Sequence, residues 1–247
     1  RSLGDSVKLI RDSVNNITDI ILKLVLFIIN VAPYGIFCLM SVLFAEKGIT
    51  VLGDLSFYFF VVVFALLLHG FLTYSLFLVL FIKVNPLKFF NKIKSLMLFA
   101  FSTSSSNATI PVTLKTVVDD IGVSRKIASF TVPLGATINM DGTAIMQGVA
   151  TVFIANAYSI DLSFADYLMV ILIATLASIG TAGVPGVGLI MLAMVLDQVG
   201  LPVEGIALII GVDRLLDMLR TVVNVTGDST ISTIVANSEN QLEQRNL

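Results

Sequence analysis

Six polar residues stand at helical spacing inside one apolar stretch near the end of the chain: Asp213, Asp217, Arg220, Thr221, Asn224 and Asp228. At about 100° per residue they fall on one stripe of a helix. Facing lipid, each charge would cost about 2.5–3.5 kcal/mol on insertion scales, so the stripe must face protein or water. A self-contained network of ion pairs is one reading. A binding face is favoured, because three Asp against one Arg leave negative charge in excess, which calls for a cation. Asp toward an ammonium and the bidentate Arg fork toward a carboxylate also match a zwitterionic or acidic ligand.

A second polar group, Asn139-Met140-Asp141-Gly142-Thr143, interrupts another apolar run. Asp and Gly are poor formers of helix interiors, and a break there frees backbone carbonyls. Hard cations such as sodium take oxygen ligands, which freed carbonyls and carboxylates supply; a kink without a ligand is the plainer reading. Met140 is read as packing, with a weak thioether ligand as the alternative. Two further interruptions, Ser102-Thr103-Ser104-Ser105-Ser106-Asn107 and Gly180-Thr181-Ala182-Gly183-Val184-Pro185-Gly186, are weak signals singly. Serine runs occur in ordinary loops, and glycines permit close helix approach. At membrane depth they gain weight, since amides at half-helix amino ends attract carboxylates.

The lone histidine, His69, is read as a packing or hydrogen-bonding residue, with a proton relay as the alternative. The single Cys38 excludes a disulfide framework or a cysteine metal site and reads as a small buried hydrophobe. No Gly-x-x-x-x-Gly-Lys-Ser/Thr phosphate loop occurs, and one His in an apolar run gives no Ser-His-Asp set. Neither ATP-driven pumping nor hydrolysis has residues to run on. No enzyme is expected, and coupling to an ion gradient is what is left.

The elements that position these groups must be membrane helices. The chain is 56% hydrophobic and 13% charged, with mean hydropathy +0.97, where a soluble domain carries about 25% charged residues. Stretches 17–45, 55–82, 127–157, 167–196 and 205–234 each reach the roughly 20 apolar residues that a hydrocarbon core requires. Lys and Arg mark cytoplasmic loops. Arg1, Lys8, Arg11 and Lys23 precede or open the first span, Lys83, Lys88, Lys92 and Lys94 follow the second, and Arg125 and Lys126 precede the third. The acidic links near 158–166 and 197–204 then lie outside, with Lys47 as the one exception. The segment from Lys94 to Arg125 starts and returns inside, and its arms are too short to cross separately, so a re-entrant hairpin is predicted. Stretch 167–196 likewise leaves one acidic link and returns to another, as a hairpin from the opposite face. Irregular backbone at membrane depth is tolerated only where protein buries it or it lines a cavity. Two opposed hairpins therefore point to inverted repeats meeting at a central site. A net charge of −2 without a basic patch gives no nucleic-acid partner. Residues 1–16 are polar and lack a signal-peptide pattern. Because the chain begins at Arg1 rather than Met, an upstream portion is expected.

Four motifs then stand in a familiar order. Ser104-Ser105-Ser106, Asn139-Met140-Asp141-Gly142-Thr143, Gly180-Thr181-Ala182-Gly183-Val184-Pro185-Gly186 and Asp217…Arg220-Thr221…Asn224-Val225-Thr226-Gly227-Asp228 resemble those of the dicarboxylate/amino acid:cation symporters, the glutamate transporter homologues. The likeness runs from about residue 17 to the end. It implies an all-α integral membrane protein of elevator type, with two opposed re-entrant helical hairpins and the first four helices missing. It also implies a multi-pass protein of the cell membrane, in contact with lipid and assembled as a homotrimer. Residues 1–16 would be a cytoplasmic lead-in and 17–54 a scaffold helix with its link. The transport domain would span 55–236: helix 55–82, hairpin 88–118, broken helix 127–157, hairpin 167–196 and helix 205–234. Residues 237–247 would be a cytoplasmic tail.

By motif position, Arg220 would hold the side-chain carboxylate of an acidic amino acid and Asp217 its amino group. Thr221, Asn224 and Thr143 would add polar contacts, with Ser104 and Ser106 from the first hairpin tip and Val184 and Gly188 from the second. Asp228, with backbone oxygens at Gly135, Asn139 and Asn224, resembles one Na+ site. Thr137, Met140, Ser178, Ile179 and Thr181 resemble another, and Asp141 with the Asn139 side chain part of a third. The expected function is sodium-coupled symport of aspartate or glutamate. Proton (H+) coupling, C4-dicarboxylate transport and an anion-conducting channel are the alternatives. Two departures stand out: Ser104 and Met218 occupy positions where archaeal and animal members respectively carry an Arg. Arg214, about one turn before Asp217, is expected to take over part of the lost charge.

Overall fold

The structure is a computed structural model that describes residues 51–243 throughout, together with scattered positions between 13 and 48. The chain divides into two units, Arg1–Ile49 and Thr50–Leu247. In the first, the described positions are helical apart from Gly48. Cys38 is exposed there, against the expectation of burial. It shares an outward apolar helix face with Tyr34 and Phe37, also exposed. Lys47 and most of 1–16 lie outside the described residues.

The second unit is helical. Helix α1 (Val51–Leu67) continues through a π-helical segment (Leu68–Thr73), α2 (Tyr74–Phe77) and a second π-helical segment (Leu78–Ile82). Then come α3 (Pro86–Thr103), α4 (Ser106–Lys115) with a π-helical end (Thr116–Ile121), α5 (Arg125–Ile138), α6 (Asp141–Ala157), α7 (Phe164–Ile179), α8 (Val187–Gln198) and α9 (Ile206–Ser238). No strand occurs among the described residues, and Val123 and Leu242 form one isolated antiparallel bridge. Leu52–Ile82 is a helix of 31 residues containing an 18-residue stretch of mean hydropathy 2.3, the one described helix long and apolar enough to cross a membrane.

Local chemistry sets the boundaries. Asn85 caps α3, its side chain accepting from Leu87 N–H at 3.0 Å, with Pro86 at the first helical position. That helix ends on Ser104 in the left-handed conformation, φ 51°. Extended Ser105 at once caps α4, accepting from Ala108 N–H at 3.2 Å. One short serine turn thus ends one helix and starts the next, and α3 and α4 lie against each other. The α5–α6 chain breaks at Asn139 (ψ 78°) and Met140 (ψ 45°). Residues 180–186 separate α7 from α8, which begins after Gly186 at φ 80°. Ser163 and Asp166 form a reciprocal capping box at the start of α7.

The long helix α9 is the central element, touching α1, α3, α4, α5, α6 and α8. Its inner half buries Thr226, Ser229, Thr230, Ser232 and Thr233. Four of these hydroxyls donate to carbonyls one turn back at 2.7–2.9 Å: Thr226 to Val222, Ser229 to Val225, Thr230 to Thr226 and Thr233 to Ser229. Small residues with locally satisfied hydroxyls let neighbouring helices approach closely. Beneath them an apolar cluster including Phe89, Ile93, Leu96, Val117, Ile121, Val132 and Val225 ties α3, α4 and α5 to α9. After α9 the chain docks on the 122–124 turn: Ser124 N–H donates to Gln241 O at 3.0 Å and Glu243 N–H to Gly122 O at 2.9 Å.

Candidate functional site

All six stripe residues of α9 are buried. Arg220 is 1% exposed; Nη1 donates to Asp213 Oδ1 at 2.9 Å and Nη2 to Asp217 Oδ1 at 2.7 Å. One guanidinium thus holds two carboxylates, leaving one negative charge in excess. The other Asp217 oxygen, Oδ2, accepts from Gly186 N–H at 3.1 Å, which ties the 180–186 interruption to the stripe. Thr221 donates its hydroxyl back to Asp217 O at 2.9 Å. Gly188, in the first turn of α8, lies against the same centre: a Cβ there would stand 3.3 Å from Thr143 Cγ2 and 3.7 Å from Arg220 Cζ.

One turn further on, Asn224 joins α9 to the α5–α6 break. Its Oδ1 accepts from Gly142 N–H at 2.8 Å, and its Nδ2 lies 3.2 Å from Met140 Sδ. The thioether of Met140 is therefore an acceptor inside the site. Asn139 Nδ2 donates to Asn224 O at 3.1 Å and to Asp228 Oδ1 at 2.9 Å. Gly135 faces the Asp228 carboxylate so closely that a Cβ would collide with it. Asp228, Asn139, Asn224 and Gly135 are thus one buried group, and no Lys or Arg forms an ion pair with Asp228 among the described residues. Asp141 points elsewhere: its Oδ2 meets His69 Nε2 at 2.7 Å and the hydroxyl of Tyr74. His69 and Tyr74 are five positions apart, which an α-helix would splay by about 140°. The π-helical segment between them brings both onto one oxygen.

The two interruptions also touch. Ser105 Oγ donates to Gly183 O at 2.7 Å, and Asn107 N–H donates to the same carbonyl at 3.1 Å. Ser104 and Ser106 are buried beside this junction, and Val184 is half-buried. Of the remaining expected residues, Ser178 and Thr181 are buried and donate to Thr175 O and Ala177 O at 2.8 Å. Thr137 and Ile179 are exposed, Thr137 spending its hydroxyl on Pro133 O at 2.9 Å. Arg214 is exposed too, off the buried stripe and within electrostatic reach of Asp213.

Sequence reasoning missed Tyr58, Tyr74 and Gln147. Each is a polar group buried among apolar helix residues, and that mismatch was the available signal. Gln147 Nε2 donates to Gly188 O at 3.4 Å. Among the described residues no three His, Cys, Asp or Glu gather to hold a metal ion. The group at Asp228 offers carboxylate and carbonyl oxygens, the donor type that hard cations take.

Buried charges on a central helix thus face two helix interruptions that touch each other. The sequence matches the sodium:dicarboxylate symporter family over residues 1–238, and the chain belongs to that family. It is 40% identical over 229 residues to human excitatory amino acid transporter 2, covering 92% of this chain and 40% of that protein. Rat (Rattus norvegicus) excitatory amino acid transporter 1 is 39% identical over 241 residues, covering 96% and 44%. An excitatory amino acid transporter of Caenorhabditis elegans is 41% identical over 220 residues, covering 87% and 43%. The chain spans about two-fifths of the length of these relatives.

Proposed function

We propose that the protein to which this chain belongs is a secondary transporter that carries an acidic amino acid across a membrane together with sodium. The pairing at Arg220 carries the reading. An acidic amino acid brings both charges the site needs: its side-chain carboxylate replaces Asp217 on Nη2, and its ammonium takes the released Asp217. The exchange keeps Arg220 and Asp217 paired, whereas breaking the pair without replacement leaves a buried charge uncompensated; the ligand's α-carboxylate is left to the hydroxyls and amides of the two interruptions. A neutral amino acid supplies the ammonium and the α-carboxylate but no side-chain carboxylate for the fork. In this reading Thr221, Asn224 and Thr143, with Ser104 and Ser106 from the first hairpin and Val184 and Gly188 from the second, add contacts to the ligand. Because Gly186 N–H holds Asp217, seating of the ligand also bears on the 180–186 turn.

Sodium is the cargo ion of this reading. Asp228 with carbonyls of Gly135, Asn139 and Asn224 forms one site; Thr137, Met140, Ser178, Ile179 and Thr181 supply a second; Asp141 and the Asn139 side chain take part in a third. The 88–118 and 167–196 segments act as re-entrant hairpins from opposite faces of the cell membrane, and 55–236 moves as an elevator against a homotrimeric scaffold that includes 17–54. Outward apolar side chains such as Phe57, Phe60, Phe64, Leu168 and Leu172 meet lipid or scaffold. Proton coupling is the second reading, favoured by the His69–Asp141 hydrogen bond. Uptake of labelled aspartate by the full-length protein in proteoliposomes decides between them. A sodium gradient is expected to drive accumulation with no pH gradient present; accumulation driven by a pH gradient alone overturns sodium coupling, and none under either gradient overturns the function.

A further inference from the structure

The exchange at Arg220 leaves two buried atoms unaccounted for, one on each of two helices, α1 and α9, that pack together. Tyr58 of α1 is 1% exposed, and its hydroxyl has no hydrogen-bond partner; Arg220 Nε, on α9, has none either. The phenol lies within electrostatic reach of both Arg220 and Asp213. Its ring is held by Phe153 of α6, centroids 5.0 Å apart at 36°. Phenylalanine fills nearly the same volume on that contact, so packing alone gives no reason for a hydroxyl at this depth, where an unsatisfied polar group is costly. A guanidinium is a rigid planar fork. Its Nη1 and Nη2 are committed to Asp213 and Asp217. Once a ligand carboxylate displaces Asp217, one of those two anchors changes hands, and Nε is the guanidinium nitrogen that has no partner of its own.

We infer that Tyr58 is a positioning residue for Arg220: its hydroxyl serves the Nε side of the guanidinium through one water, and holds the fork in plane while ligand and Asp217 exchange. The inference rests on the acidic-ligand reading of this site. Tyr58 itself touches no ligand; it acts through Arg220.

The test is Tyr58→Phe in the full-length protein, which keeps the ring on Phe153. Equilibrium binding of labelled aspartate is expected to weaken about tenfold, with the thermal midpoint unchanged. Tyr58→Leu, which also removes the ring contact, is expected to lower the midpoint as well. Hydrogen exchange at Arg220 Nε–H, followed by nitrogen-15 NMR with arginine labelling, gives a readout that needs no ligand. Exchange is expected to be slow in the parent and at least tenfold faster in Tyr58→Phe. Parent-like affinity and parent-like exchange in Tyr58→Phe overturn the inference. If the parent itself binds no acidic amino acid, the functional reading fails instead, and the exchange rates alone decide whether Tyr58 holds Arg220.

Discussion

Gly142→Ala is the substitution whose outcome the structure specifies most closely. Gly142 sits in the first turn of α6, where that helix crosses α9. A Cβ there would stand 2.9 Å from Arg220 O, 3.0 Å from Asn224 Oδ1 and 3.1 Å from Arg220 Cα. Ordinary contact begins at 3.4 Å, so the gap must open by about 0.5 Å. Two of the three obstacles are backbone atoms of a helix, which cannot rotate aside as a side chain does. The start of α6 must therefore lift from α9, at a cost of about 1–3 kcal/mol for overpacking. The Gly142 N–H···Asn224 Oδ1 hydrogen bond of 2.8 Å stretches with it, adding about 1 kcal/mol. The same wedge separates Thr143 from Arg220, the two sides of the proposed ligand space. In detergent-solubilised full-length protein, the thermal midpoint is expected to fall by several degrees and aspartate affinity by about tenfold. Gly148→Ala is the internal control, because nothing lies within 4 Å of its Cβ position, and it is expected to match the parent. If Gly142→Ala behaves like Gly148→Ala in both measurements, the close crossing of α6 and α9 is wrong.

Arg220→Met leaves Asp213 and Asp217 buried without a counter-charge, for an expected loss of about 3–5 kcal/mol; adding Asp213→Asn and Asp217→Asn should restore most of it, read by chemical denaturation. Gly122→Ala places a Cβ on the Glu243 backbone at φ +98°, so the 241–243 segment should detach. Amide exchange at Ser124 and Glu243 is then expected to speed while aspartate affinity stays within twofold. At the start of α7, hydrogen bonds from the Ser163 hydroxyl and backbone hold the Asp166 carboxyl below the usual aspartate value. A lowered value stabilises above the unfolded group's pKa and loses that contribution as pH falls through the folded one. Ser163→Ala is expected to move the Asp166 titration, followed by carbon-13 NMR, up toward the usual value.

The α9 stripe was legible because charges are costly in an apolar helix and only a helical period puts Asp213, Asp217, Arg220, Asn224 and Asp228 on one face. The break at Asn139 and Met140 and the turns at Ser104 and 180–186 were legible from residue types that end helices. What was hidden depends on how separate elements meet. Nothing in the composition of Leu68–Thr73 marks a π-helical register, yet that register is what aims both His69 and Tyr74 at Asp141. The Ser105–Gly183 contact joins positions far apart in the chain, and neither residue type advertises it. The last helix runs to Ser238, past the expected end at 234, with Ala236 buried and Val235 half-buried in the added turn. Thr137 and Ile179 carry the right motif positions, while their exposure follows from which face of the helix end turns outward.

The central claim is that α9 divides into a ligand part, from Asp217 to Asn224, and a cation part, from Asn224 to Asp228, coupled through Asn224 and Asn139. Linkage makes that measurable: if sodium and ligand favour each other, each must raise the other's affinity by the same factor. The direct test is the aspartate dissociation constant of the full-length protein, by calorimetry, across sodium concentrations at fixed ionic strength, for the parent and for Asp228→Asn. Steep tightening with sodium is expected in the parent and a much flatter dependence in Asp228→Asn. An aspartate affinity independent of sodium in the parent would contradict this coupling.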